Sequence, residues 1–128
     1  MFGEFIKSAD FKTEKHQPVI HVADTVKAGE AFDVEVLVGE DIAHPNTAEH
    51  HIAWIKLYFI PEGTKLPFEV ATSEFRVHGD AAAGAEGVVF ANPKAKVSLT
   101  LQKSGTFYAV SYCNIHGLWE AEKKVVVA

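Results

Sequence analysis

The chain contains a single cysteine, and a histidine follows it three positions later. They are Cys113 and His116, in the stretch Tyr-Cys-Asn-Ile-His-Gly at residues 112–117. A lone cysteine can form no internal disulfide, and this pair supplies too few ligands to close a zinc site. Residues three apart in a turn can chelate one metal, and Gly117 permits a sharp bend with positive φ. Main-chain amides after Cys113 can point at its sulfur. Since a buried cysteine is usually an inert apolar side chain, the motif alone leaves both interpretations open.

Histidine is unusually frequent in this chain, with seven copies in 128 residues, and several of them fall in predicted loops. Loops on a rigid scaffold commonly carry binding residues, so the loop histidines favour a metal site over an inert cysteine. The seven are His16, His21, His44, His50, His51, His78 and His116.

The stretch His-Pro-Asn-Thr-Ala-Glu-His-His at residues 44–51 places three of these histidines close together in sequence. Pro45 fixes the chain direction, and Asn46 or Thr47 can cap a tight turn that returns His50 to His44. His50 and His51 would point to opposite faces of an extended strand, so we expect one of them in the site. We favour His50, because His51 continues an alternation with Ala53, Ile55 and Leu57.

Donor types narrow the choice of metal. Structural zinc commonly takes several cysteines, which one thiolate with up to four imidazoles fits poorly. A blue-copper site is the closer alternative, since cupredoxins are β-sandwiches with a Cys-x-x-His loop, an upstream histidine and usually an axial methionine. The only methionine here is Met1, and the loop histidines exceed what copper uses. Copper electron transfer, and a non-catalytic metal-bound β-sandwich, therefore stay as alternatives.

The elements that must position these residues are nearly all β-strands. Short runs rich in β-branched and aromatic residues are separated by glycine, proline and asparagine turn signals. Phe32, Val34, Val36 and Val38 alternate with polar or outward positions, as a half-buried strand requires. We predict an all-β, immunoglobulin-like β-sandwich of about seven antiparallel strands. The runs are 18–22, 31–39, 51–60, 68–77, 96–101, 105–113 and 123–128, and the small-residue stretch 81–87 is predicted to be a loop.

The composition of the chain limits the classes of function that it can have. The length of 128 residues and a 48% hydrophobic fraction predict one domain, 1–128, with a substantial core. A formal charge of −5 without a Lys/Arg run argues against nucleic-acid binding. No apolar run is long enough for a signal sequence or a membrane helix, so we expect a cytoplasmic protein without a membrane partner.

A third motif, Glu14-Lys15-His16, precedes the first predicted strand. Combined with the stretches His-Pro-Asn-Thr-Ala-Glu-His-His-Ile and Ser-Tyr-Cys-Asn-Ile-His-Gly-Leu-Trp-Glu, it closely resembles the superoxide reductases of the one-iron type called neelaredoxin. The resemblance runs through most of the chain and includes Ser-Ala-Asp-Phe-Lys at 8–12 and Leu-Tyr-Phe-Ile-Pro-Glu-Gly at 57–63.

The resemblance implies one iron per chain, Fe²⁺ or Fe³⁺, and assigns its ligands. Four equatorial histidines would be His16, His44, His50 and His116, with Cys113 axial. His116 would bind through Nδ1 and the other three through Nε2. Glu14 would ligate the ferric form at the sixth position, where superoxide binds, and Lys15 would lie over that position. The N-terminal segment 1–16 would carry this Glu-Lys-His loop, and His21, His51 and His78 would not be ligands.

The resemblance also implies the reaction and the partners. Superoxide would be reduced by one electron, with two protons, to hydrogen peroxide, and no oxygen would be released. The electron would come from a rubredoxin-like donor, because one cysteine cannot form the four-cysteine iron domain that some relatives carry. A homotetramer is expected from the resemblance alone.

Overall fold

A computed structural model of the chain describes residues 1–80 and 83–128. A short 3₁₀ turn, Phe2–Phe5, is followed by eight β-strands in this part of the chain. Their bounds are β1 Pro18–His21, β2 Thr25–Val26, β3 Ala31–Val38, β4 Ile52–Pro61, β5 Phe68–Glu74, β6 Lys94–Thr100, β7 Gly105–Cys113 and β8 Gly117–Val127.

The strands form two sheets. One has three strands in the order β1-β3-β6, and the other has five in the order β2-β8-β7-β4-β5. All neighbours are antiparallel except β2, which pairs in parallel with the end of β8. Apolar side chains of both sheets meet in one core; among the most buried are Val34 and Val36 from the small sheet and Ile55, Phe107 and Val125 from the large one. The predicted all-β sandwich is confirmed.

Each predicted run lies on a strand, and the alternation in β3 is observed, with Val34, Val36 and Val38 buried. Two details differ from the prediction. The two-residue strand β2 was not predicted, and β8 begins at Gly117 instead of Lys123. The first half of β8 was not predicted because Gly117, Glu120, Ala121 and Glu122 are of types that are depleted in strands. Residues 83–87 lie in turns or irregular structure, and the rest of the predicted 81–87 loop falls outside the described residues.

Two pairings decide where the loops lie. Cys113 pairs with Gly117 at the tip of the β7–β8 hairpin, and it also pairs with Ile52, the first residue of β4. The segment that leads into β4 therefore arrives beside the hairpin tip. Within the described part of the chain, the structure contains no helix with the length and hydropathy that crossing a bilayer requires.

Candidate metal centre

Three segments meet at this end of the large sheet. We call residues 44–51 the histidine loop and residues 113–117 the cysteine loop; the third is the N-terminal segment, residues 1–17. Each brings at least one of the histidines that the sequence singled out, and the cysteine loop also brings the single thiol.

The N-terminal segment is fastened to β8. Lys7 forms an isolated parallel bridge with Trp119, its N–H donating to the Leu118 carbonyl at 3.1 Å. The Gln17 side chain donates to the Glu120 carbonyl at 2.8 Å. These contacts lay the His16 ring on the indole of Trp119, with centroids 5.2 Å apart and planes 15° from parallel. His16 is thereby buried in spite of its place near the N-terminus.

A capped turn folds the histidine loop back on itself. The Thr47 hydroxyl accepts from the main-chain N–H of His50 at 3.0 Å, and the Thr47 N–H donates to the His50 carbonyl at 3.0 Å. The rings of His44 and His50 consequently lie 4.7 Å apart. The predicted capped turn is confirmed, with Thr47 as the capping residue.

The cysteine loop is a three-residue hairpin turn. Cys113 is fully buried, whereas His116 is exposed, so the thiol lies at the base of the cluster and His116 lies at its rim. The His116 N–H points at the Cys113 sulfur at 3.4 Å, as the sequence predicted for an amide after the cysteine. Gly117 has φ +80°, which also confirms the predicted bend; its Cβ position is free of neighbours, so the backbone conformation is what requires glycine.

Asn114 joins the two loops. Its side chain donates to the Glu49 carbonyl at 2.8 Å and accepts from the His51 N–H at 2.8 Å, while its own N–H donates to the His51 carbonyl at 3.2 Å. Each such bond contributes about 0.5–1.5 kcal/mol net. The two loops that carry predicted ligands are therefore held to each other directly.

Four of the predicted ligands form one compact group. One donor atom from each of four residues lies within 4.8 Å of every other; the residues are His16, His50, Cys113 and His116. The fifth, His44, stands next to this group, with its ring centroid 4.8 Å from that of His16. His116 presents Nδ1 to the group, 3.0 Å from His16 Nε2 and 3.7 Å from the Cys113 sulfur.

The donor atoms fit a metal ion. Nitrogens bonded to one metal at about 2.1 Å and at right angles lie about 3 Å apart, which matches the distance between His16 and His116. Nε2 of His44 and Nε2 of His50 are buried without a hydrogen-bond partner among the described residues. His44 donates its Nδ1–H to the Pro45 carbonyl at 2.7 Å, so its Nε2 carries a free lone pair. Buried imidazole nitrogens without a partner, beside a thiol, are what a metal would satisfy.

The electrostatics keep these imidazoles neutral. Burial lowers the pKa of His44 to about 4, against an opposing hydrogen bond to Pro45, and the neighbouring charges of His16, His50 and Lys15 lower it further. Burial also lowers the pKa of His50, followed by the charges of the surrounding histidines and Lys15. Metal ligation requires neutral histidine, so both groups are ready to bind without losing a proton near neutral pH.

Glu14 lies beside the group and outside it. Its Oε1 accepts from His16 Nδ1–H at 2.7 Å and from the His16 main-chain N–H at 3.1 Å. These two bonds, the side-chain bond first, lower the pKa of the Glu14 carboxyl. Lys15 is half-buried, and its charge is felt at His44 and His50.

The remaining histidines lie outside the group. His21 is paired with Glu40 on the surface, and His51 stacks on His78 with centroids 3.7 Å apart. The structure brings His50 and not His51 to the donor group, but the reason given from the sequence is wrong. A register shift between Ile52 and Trp54 changes the phase of β4, so Ile52 is buried and Ala53 is only partly buried.

Two residues of this centre were missed from the sequence. Trp119 supports His16, and Asn114 joins the loops. Both stand inside the quoted Cys-x-x-His stretch and its continuation, but an indole and an amide give no sign of their partners until the strands are paired.

The family of the chain follows from comparison with known proteins. A family model described as desulfoferrodoxin matches residues 8–122. The chain belongs to the desulfoferrodoxin family. Among the relatives of this chain, neelaredoxin from Megalodesulfovibrio gigas is 48% identical over 125 residues, which cover 97% of this chain and 96% of that protein. Superoxide reductase from Pyrococcus furiosus is 48% identical over 123 residues, 95% of this chain and 97% of that protein.

Solved structures agree with this family assignment. The reduced form of superoxide reductase (neelaredoxin) from Archaeoglobus fulgidus has a TM-score of 0.87 at 46% identity, covering 96% of this chain and 99% of that one. The resemblance to one-iron superoxide reductases is confirmed. The blue-copper alternative finds no support in these desulfoferrodoxin relatives, and the only methionine, Met1, is 96% exposed.

Proposed function

We propose that the chain is a superoxide reductase, which reduces superoxide to hydrogen peroxide at one iron ion. The observation that carries the proposal is the convergence of imidazole and thiol donors in a member of this family, with two buried ring nitrogens that have no partner among the described residues. Each superoxide takes up one electron and two protons and becomes one hydrogen peroxide, with no oxygen released.

We propose that iron is held by four histidines and one cysteine: His16, His44, His50, His116 and Cys113. Bound iron would supply a one-electron couple between its ferrous and ferric states. The four imidazoles bring no charge, which favours the ferrous ion, and the buried Cys113 supplies the single negative ligand. The amide of His116 hydrogen-bonds to that sulfur and tunes its basicity.

Lys15 and Glu14 are proposed to act on the substrate side. Superoxide is an anion and the chain carries a formal charge of −5, so capture needs local positive potential, which Lys15 supplies beside His16. Glu14 is proposed to bind the ferric ion, as the family resemblance implies. Its present hydrogen bonds to His16 would have to be released for that purpose.

We propose that residues 1–128 form a single iron-binding domain, completed by the N-terminal segment with its Glu-Lys-His sequence. The electron donor is proposed to be a rubredoxin-like protein. We further propose a cytoplasmic homotetramer, in keeping with the unpaired thiol of Cys113 and with Phe2 and Phe5, which are 66% and 73% exposed and available for contacts between copies.

Reconstitution with ferrous iron tests the activity. Reduced protein is expected to consume superoxide and to form one peroxide per superoxide without evolving oxygen; stoichiometric oxygen would make the protein a dismutase. Cys113→Ser should stay folded and lose the thiolate-to-iron absorption band. A band that persists in Cys113→Ser would exclude the thiolate ligand.

A further inference from the structure

His78 is a buried histidine that takes no part in the proposed metal site. Its residue exposure is 3%, and both ring nitrogens contact oxygen atoms. Nδ1 lies 2.7 Å from Oδ1 of Asn46, and Nε2 lies 2.7 Å from the carbonyl oxygen of Phe75. A side chain with this burial and two short polar contacts is held firmly in place.

Both partners of the His78 ring are hydrogen-bond acceptors. The Phe75 carbonyl can only accept. The Asn46 amide donates through Nδ2 to the Ala91 carbonyl at 3.1 Å, so its oxygen faces His78 and accepts as well. His78 is therefore the donor in any hydrogen bond that its ring makes with either partner.

Acidic residues and a second imidazole ring lie around His78. Three carboxylate residues line the cavity that His78 also lines: Glu49, Asp80 and Glu86. The Asp80 carboxylate accepts from the main-chain N–H of His78 at 3.2 Å, so its negative charge is fixed nearby. On the other side, the His51 ring covers His78 in a parallel stack, with planes 4° apart. The His51 Nδ1–H donates to the Thr47 carbonyl at 2.9 Å, which holds that ring in the stack.

We propose that His78 is a positioning residue that fixes the histidine loop for metal binding. Asn46 is the second residue after His44, and Thr47, which follows it, caps the turn that brings His50 back. His78 holds Asn46 from one side and stacks on His51 at the end of the same loop. The histidine loop is thus fixed at Asn46 and at His51. Of the two proposed ligands in this loop, His44 precedes Asn46, and His50 lies between Asn46 and His51. The inference rests on the proposed metal site and is independent of the reaction at that site.

Positioning is tested by metal release. Asn46→Ala removes the acceptor, whereas Asn46→Asp keeps it, and His78→Phe keeps the stacked ring but removes both ring nitrogens. Partners that orient metal ligands are typically worth about 10–100-fold in metal affinity. We therefore expect zinc release to a chelator to be at least ~10-fold faster in His78→Phe and Asn46→Ala, and near wild type in Asn46→Asp and in the surface control His21→Gln.

The ferrous ligand-field spectrum reports the geometry at the metal, and a general loss of protein stability does not change it. It should shift in Asn46→Ala and return in Asn46→Asp. If His78→Phe does not fold, the comparison of Asn46→Ala with Asn46→Asp tests the positioning role by itself. Release rates and spectra equal to wild type in Asn46→Ala would overturn the positioning role. Zinc release requires no superoxide chemistry, so failure of the proposed reaction in the wild-type protein would leave this result readable.

Discussion

The Glu14 carboxylate is hydrogen-bonded twice to His16, through the ring Nδ1–H at 2.7 Å and through the main-chain N–H at 3.1 Å. A histidine ligand commonly donates its second ring nitrogen to a carboxylate, which fixes the tautomer and raises ligand basicity. In this arrangement Glu14 supports His16 from outside the donor group.

This geometry predicts that Glu14 contributes to ferrous iron affinity as well as to the ferric spectrum. Glu14→Ala should weaken ferrous iron binding by ~10-fold, because the orienting acceptor is lost. Glu14→Gln should retain most of the affinity, since its amide oxygen can still accept from His16. Both variants should alter the ferric absorption spectrum, because the carboxylate is absent. Chelator competition measures the first effect; equal affinity in Glu14→Ala and wild type would limit Glu14 to the ferric state.

Lys15 is predicted to speed superoxide capture. Its charge reaches His44 and His50, where it contributes to lowering both pKa values. Electrostatic steering of this kind changes association rates by ~10–1,000-fold and weakens with salt. Lys15→Met should therefore slow capture by about 10-fold, and its salt dependence should flatten or reverse as the net negative charge of the protein dominates.

Pulse radiolysis across a salt series measures both quantities. Lys12→Met is the matched control, since Lys12 is an exposed lysine three positions earlier in the same segment. A rate and slope in Lys15→Met that equal those of Lys12→Met would rule out local steering.

Mutation should distinguish the roles of the adjacent residues His50 and His51 in metal binding. His50→Ala removes a buried ring nitrogen from the donor group and should reduce the iron bound after dialysis to well below one per chain. His51→Ala removes a stacked ring outside the group and should retain more iron than His50→Ala. Metal analysis of both proteins decides; the reverse order of iron contents would show that the wrong histidine had been assigned.

His44 makes metal-free protein sensitive to acid. Its folded-state pKa is about 4, below the ordinary histidine value of 6.5, so the unfolded chain binds a proton first as the pH falls. The stability linked to neutral His44 is therefore fully present above about pH 6.5 and is lost progressively as the pH falls toward 4. NMR titration of metal-free protein should show the His44 ring neutral at pH 5.5. A titration midpoint near 6.5 would contradict the burial effect.

Much of this centre was predictable because its donors are short-range motifs. Thr47 capping, the Gly117 bend and the amide directed at the Cys113 sulfur each depend on a few neighbouring residues. The bulge in β4 was not predictable, because it arises where β4 pairs with β7, and it made the face assigned to His51 wrong. The Glu14–His16 bond and the Asn114 contacts also depend on how distant segments meet, which propensity and periodicity do not encode.

The attachment of the N-terminal segment to β8 has a consequence for how the protein matures. His16 is positioned by Trp119, more than a hundred residues further along the chain, and the cysteine loop stands between β7 and β8. During synthesis the histidines at 16, 44 and 50 emerge early, but the scaffold that gathers them is completed only with the last strand. Contacts of such long sequence separation close late, because loop-closure entropy opposes them. Metal binding at the proposed site would therefore follow completion of β8, because a shorter nascent chain carries these histidines without the strands that gather them.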